Sequence, residues 1–145
     1  MKKRHAGLLF CVLVIFLYPA RALHAQTRVS DRDVEALMRN LKDDSKSFRE
    51  NFDNALKKSA IRRTSQEKDA KGLVASFEKQ TDSMLSEFRK TRKGDVAVES
   101  TISNAQEIER LIHNLQLDPK TLGEWEKIRT ELQHVSAAFG IHVSM

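Results

Sequence analysis

From Ser30 onward, apolar residues recur at alternating spacings of four and three, and that rhythm constrains the chain more than any other feature. At 3.6 residues per turn, such spacing lays the apolar side chains in one stripe along a helix. The first stripe is Val34, Met38, Leu41, Ser45, Phe48, Phe52, Ala55, widened by Leu37 and Leu56. The second is Ala70, Val74, Phe77, Thr81, Met84, Phe88, with Leu73 and Leu85 beside it. Val98, Ile102, Ala105, Ile108, Ile112 and Leu115 make the third, and Leu122, Trp125, Ile128, Leu132, Val135 and Phe139 the fourth. No stretch shows the period of two that a half-buried strand needs. Ser30 with Asp33, and Thr64 with Glu67, read as capping boxes that open the first two helices. Gly94 supplies a stop, Asp118-Pro119 opens the last helix, and Gly140 closes it. The spacing predicts an all-α chain with helices at about 31–60, 65–92, 96–116 and 119–139. Short connections between them favour an antiparallel up-down-up-down four-helix bundle.

The stripes also predict which layers meet. Folding the first pair of helices about residue 63 sets Met38 against Phe88, Leu41 against Leu85, Ser45 against Thr81 and Phe52 against Val74. Folding the second pair between 118 and 119 sets Ile112 against Trp125, Ala105 against Leu132, Ile102 against Val135 and Val98 against Phe139. Both folding centres coincide with turn signals. The first two helices, at about 28 residues, would be about 42 Å long, and the other two about 30 Å. With a tight connection at Lys93-Gly94-Asp95, the excess length falls beside the first turn, which is expected to project past the second pair.

Residues 1–25 follow a different logic. Lys2, Lys3 and Arg4 precede an uncharged apolar run from Ala6 to Tyr18, and Pro19 and small residues follow. This is the order of a secretory signal peptide, and the run is short of the roughly 20 residues of a spanning helix. Cleavage after Ala22 or after Ala25 fits, leaving residues 26–145 as a single helical domain with no transmembrane segment. Cys11, the one cysteine, and Tyr18, the one tyrosine, belong to this leader, so thiol chemistry is excluded from the remainder.

The charge of +5 changes meaning once the leader is set apart. Lys2, Lys3, Arg4 and Arg21 leave with it, and 21 basic face 20 acidic residues from Gln26 on. The balance is local: residues 26–94 carry 17 basic and 12 acidic groups, and residues 95–145 carry 4 and 8. Mutual attraction between the two halves is the simpler expectation. Two basic clusters remain: the first turn with Lys57, Lys58, Arg62 and Arg63, and Arg89, Lys90, Arg92 and Lys93 at the end of the second helix. Cations at helix C-termini complement the macrodipole without any ligand. Stacking aromatics are absent from both clusters, which disfavours single-stranded nucleic acid and leaves an anionic envelope component, or a protein, as the fitting partner.

Catalytic and metal patterns are sparse. Glu131-Leu-Gln-His134 has the Glu-x-x-His spacing of di-iron bundles, but occurs once where such sites need it twice with further glutamates. Glu109 and His113 are four apart, a common surface pairing. Ser103 falls level with His134, one turn from Glu131, yet no strained turn or oxyanion donor accompanies that trio. No glycine-rich phosphate loop and no His-Glu-x-x-His is present. Phe48, Phe52, Phe77, Phe88 and Trp125 lie on the stripes and are assigned to packing.

Asp33-Val34-Glu35-Ala36-Leu37-Met38, Phe48, Ala55-Leu56, Thr64-x-x-Glu67, and Trp125 followed by Leu132 together resemble a family of exported bacterial helical proteins of unknown function. The resemblance implies a helical fold and export, and it brings no active-site residues. The expectation is an exported, non-enzymatic helical binding or structural module of the bacterial envelope, periplasmic or extracellular, needing no cofactor. Lys57, Lys58, Arg62 and Arg63 are the first place to look for an anionic partner. The stripes can pack within one chain or across a homodimer. The rival expectation is a metal- or cofactor-binding bundle that uses Glu131 and His134.

Overall fold

In the computed structural model, which describes residues 29–143, four helices pack together: α1 (Asp31–Leu56), α2 (Ser65–Thr91), α3 (Asp95–His113) and α4 (Pro119–Ala138). No strand occurs among the described residues. The expected leader and both of its cleavage points lie outside them.

Local chemistry explains where each helix begins. Ser30 caps α1, its hydroxyl accepting from the Asp33 amide at 3.2 Å and donating to the Asp33 carboxylate at 2.6 Å. At α2 the Thr64 hydroxyl accepts from the Glu67 amide, while the Glu67 carboxylate reaches back to the Arg63 amide at 2.5 Å. That return bond lands one residue earlier than in the usual capping box. Asp118 caps α4, its carboxylate accepting from both the amide and the hydroxyl of Thr121, with Pro119 at the first helical position. These bonds favour the ionised carboxylate, so both Glu67 and Asp118 are held below their ordinary range, each most strongly by a side-chain partner: Lys71 for Glu67, Thr121 for Asp118.

The ends correct the expected boundaries. Helix α1 stops at Leu56, not near residue 60, because its last carbonyls are taken by short-range bonds: Lys58 N–H to Ala55, Ser59 N–H to Leu56, and the Ser59 hydroxyl to Leu56 again. Helix α3 tightens the same way after His113, with Asn114 and Leu115 amides bonding back three residues. Gly94 does not stop α2. Arg92 does, in the left-handed region at φ 56°, and Gly94 instead precedes α3, where the Phe139 ring occupies the space a side chain would need. Gly140 closes α4 at φ 71°, where the Ile141 amide bonds the Ser136 carbonyl and the Gly140 amide that of Ala137. This is the Schellman arrangement.

The stripes supply the core. Met38, Leu41, Phe48, Phe52, Val74, Phe77, Ala105, Ile108, Ile128 and Leu132 are fully buried, and Trp125 nearly so. Rings meet at its centre, Phe48 with Trp125 at 5.2 Å between centroids and Phe77 with Trp125 at 5.9 Å. The polar layer is buried too, but Ser45 and Thr81 each donate to a carbonyl of their own helix, Leu41 and Glu78. One stripe position is misplaced: Leu122 is 38% exposed and Thr121, four residues before Trp125 on the same helix face, takes its buried place. Helix α1 packs on α2 and α4, and α3 packs on the same two.

Candidate functional site

The connection from Lys57 to Thr64 is a run of turns in which Lys57, Lys58, Arg62 and Arg63 all keep exposed side chains. Short-range bonds hold its path: Arg62 N–H to Ser59 and Thr64 N–H to Ile61. Arg63 sits at φ 63°, left-handed without being glycine. Its amide is fixed by Glu67, so the backbone is ordered while the guanidinium stays outside. Lys57 donates to Asn54 at 2.8 Å. Among the described residues no carboxylate forms an ion pair with any of these four cations. Glu67 is engaged by Lys71 at 2.5 Å and also feels the charge of Arg62.

The other basic cluster is treated differently. Glu35 on α1 accepts from Arg89 at 3.0 Å and Arg92 at 3.3 Å, and from Arg39 on its own helix. Those cations, led by Arg89, hold Glu35 below the usual carboxylate range. Arg92 also lies over the Phe88 ring at 5.6 Å. Half of this second cluster is therefore paired within the fold, whereas the cations of the turn after α1 face solvent without a direct ion pair.

Beside that turn lies an open groove of about 480 Å³. Ile61, Ala70, Leu73, Leu111 and Leu115 supply its apolar surface, and Gln66, Asp69 and Asn114 its polar edge. The first turn therefore does not stand clear of the second pair of helices at its base. The segment after α3 climbs alongside the start of α2 and brings Asn114 and Leu115 to Ile61.

The residues singled out for metal or nucleophilic chemistry are not brought together. His134 is exposed, and so is Ser103, whose hydroxyl donates to its own helix at Glu99. Glu131 turns instead toward Asp44 of α1, with which it shares a hydrogen bond. Burial and that neighbouring acid push Glu131 up to about 7, and its other oxygen is buried without a partner. Lys127 bonds Asp44 at 2.8 Å, closing an Asp44–Lys127–Glu131 group across α1 and α4. Among the described residues no group of three or more His, Cys, Asp or Glu is arranged to hold a metal ion. This ion pair also reverses the expected sign: its acid comes from the basic half of the chain and its base from the acidic half.

Three features escaped the sequence reading. Glu109 is more than a surface partner of His113, for it also accepts from the Trp125 indole and lies 3.6 Å from Arg129. The Asp44 group was hidden because helical spacing within α4 shows Lys127 and Glu131 as neighbours but cannot say which face of α1 they meet. The groove was hidden for the same reason.

No helix among the described residues is long and apolar enough to cross a membrane. Comparison with known protein families, with curated proteins and with solved structures finds no match.

Proposed function

We propose that the chain is an exported, non-enzymatic binding module of the bacterial envelope, and that the turn from Lys57 to Thr64 is its contact for an anionic partner. The carrying observation is that Lys57, Lys58, Arg62 and Arg63 are exposed and without ion pairs on an ordered turn, while the fold neutralises Arg89 and Arg92 through Glu35. Uncompensated charge held on a fixed backbone is inexpensive to present and attracts opposite charge over about 8–10 Å at moderate salt.

The architecture proposed for this role is the antiparallel up-down-up-down bundle behind a cleaved leader. Cross-helix contacts support the antiparallel part. Glu35 meets Arg89, Lys42 meets Asp82, and Arg49 meets Glu78, so α2 numbers fall as α1 numbers rise. Asp44 with Lys127 and Asn51 with Glu124 give the same sense for α1 and α4. Asn104 with Gln80 and Thr101 with Met84 fit it for α2 and α3.

Vesicles containing anionic phospholipid, compared with neutral ones, test the contact. Binding is expected to weaken with added salt and to drop about tenfold or more when all four cations become alanine, since each juxtamembrane cation contributes about 1 kcal/mol. Replacing Lys90 and Lys93 serves as the charge control. If the four-site variant binds as the parent does, the proposal is wrong. N-terminal sequencing of the exported protein reads the leader, with Leu23 or Gln26 expected first.

A further inference from the structure

Helices α2 and α3 are joined by Arg92, Lys93 and Gly94 alone, the shortest connection between the four helices. Both of its ends are poorly finished. Arg92 closes α2 in the left-handed region at φ 56° without being glycine, a conformation that a side chain adopts only at a cost. Gly94 opens α3 with no side-chain cap, whereas Ser30, Thr64 and Asp118 cap the other three helices. Straightening the connection would bring first-turn amides of α3 to last-turn carbonyls of α2, as in one continuous helix.

The contacts that this bend folds together can be made equally well between chains. The first helix pair meets the second through Phe48 and Phe77 against Trp125, Phe88 against Phe139, Asn51 with Glu124 and Gln80 with Asn104. Each joins a residue before Arg92 to one after Gly94, so none depends on which chain supplies either side. Net charge selects the pairing. Residues 26–94 carry 17 basic and 12 acidic groups, and residues 95–145 carry 4 and 8. A first pair therefore attracts a second pair and repels its own kind.

We propose that a second copy of the chain is a binding partner, with α3 and α4 exchanged between the two copies about the connection at 92–94. In the exchanged dimer α2 runs on into α3, Arg92 leaves the left-handed region, and the contacts between helix pairs are kept. Short connections under strain favour exchange of this kind.

Size-exclusion chromatography with light scattering, run on the exported chain over a range of concentrations, reads the dimer. A dimer fraction that grows with concentration is expected. Arg92→Gly is free of the left-handed penalty and should raise the dissociation constant at least about tenfold, since each dimer relieves that penalty twice. Arg92→Ala keeps the penalty and should leave the dimer at least as abundant as in the parent. Gly94→Ala sets a Cβ 2.9 Å from the Phe139 ring in the bent form and should lower the constant at least about tenfold. Deleting Lys93 tightens the bend by other means and should act in the same direction. The side chains of Gln80 and Ser100 approach to 3.4 Å across α2 and α3, so Gln80→Cys with Ser100→Cys, joined by a short bismaleimide, reports the exchange. On a denaturing gel the dimer fraction should run as covalent dimers and the monomer fraction as single chains. Linkage confined to single chains within the dimer fraction overturns the proposal. So does the absence of a dimer from the parent, Gly94→Ala and the Lys93 deletion alike. An Arg92→Gly dimer as abundant as the parent's overturns it as well.

Discussion

Glu131→Gln should make the protein more stable at pH 8 while leaving it little changed at pH 5. The Glu131 carboxyl is drawn out of water between α1 and α4 and shares a hydrogen bond with Asp44, and these two causes, burial first, raise it from 4.5 to about 7. Lys127 pulls the other way but is itself bonded to Asp44. In the folded chain the proton is therefore held up to about pH 7, whereas in the unfolded chain it leaves near 4.5. The folded state binds the extra proton between those limits, so this group's contribution is complete below pH 4.5, fades as pH rises and is gone above 7. A raise of that size separates the two protonation states by at most about 3 kcal/mol, and water reaching the half-buried side chain reduces it to about 1–2 kcal/mol. Glutamine keeps a donor for Asp44 and carries no charge at any pH. Urea denaturation at pH 5 and pH 8 in 0.1 M salt measures the difference, with the midpoint gap between variant and parent widening at the higher pH. A gap that is equal at both values, or larger at pH 5, refutes the reasoning.

The acid limb should depend on a different residue. Glu35, held low chiefly by Arg89, contributes stability above its ordinary range that is lost as pH falls through its lowered value, so Glu35→Gln should flatten the loss of melting temperature between pH 5 and pH 3. Three glycines should answer oppositely to alanine. Gly72 and Gly123 lie within α2 and α4 with open space around an added Cβ, and each substitution should add about 0.5–1 kcal/mol, the pair together about 1–2 kcal/mol in chemical denaturation. At Gly94 an added Cβ would stand 2.9 Å from the Phe139 ring and 3.3 Å from Met38, and Gly94→Ala should lose about 1–3 kcal/mol by the same assay. Phe48→Ala, emptying a fully buried site between Phe52 and Trp125, should lose about 3–5 kcal/mol.

What could be read in the residues was whatever depends on helical period and local capping. Val34, Met38, Leu41, Phe48 and Phe52 recur at a spacing that only one face of a helix satisfies, and they are buried together. Ser30, Thr64 and Asp118 cap because their side-chain oxygens reach amides two or three residues on, a distance fixed by covalent geometry. The stop at Leu56 was missed because Ser59 competes for the Leu56 carbonyl through a bond that no periodicity reports. Leu122 was misassigned because Thr121 and Leu122 stand four and three residues before Trp125, and the stripe rule takes the apolar one whichever of the two the helix turns inward. At the candidate site, Lys57, Lys58, Arg62 and Arg63 were visible as a run of charge, but the groove was not. Its walls come from the turn, α2 and the segment after α3, and their juxtaposition depends on how helix pairs rotate against each other.

Helix α2 is bounded on both sides by an arginine in the left-handed region, Arg63 before it and Arg92 after it. For a side chain that conformation costs about 1–2 kcal/mol, which glycine would not incur. Any charge-removal experiment at these places therefore reads two quantities at once. Arg63→Ala discards the guanidinium and retains the steric penalty, whereas Arg63→Gly discards both. Measured side by side, the two variants separate ligand attraction from backbone relief: affinity should fall equally in both, and thermal stability should rise in the glycine variant alone. The same pair at Arg92 has a different signature, because there the lost partners are Glu35 and the Phe88 ring. Two arginines in one unusual backbone state thus become an internal control for each other, one facing outward and one holding the fold.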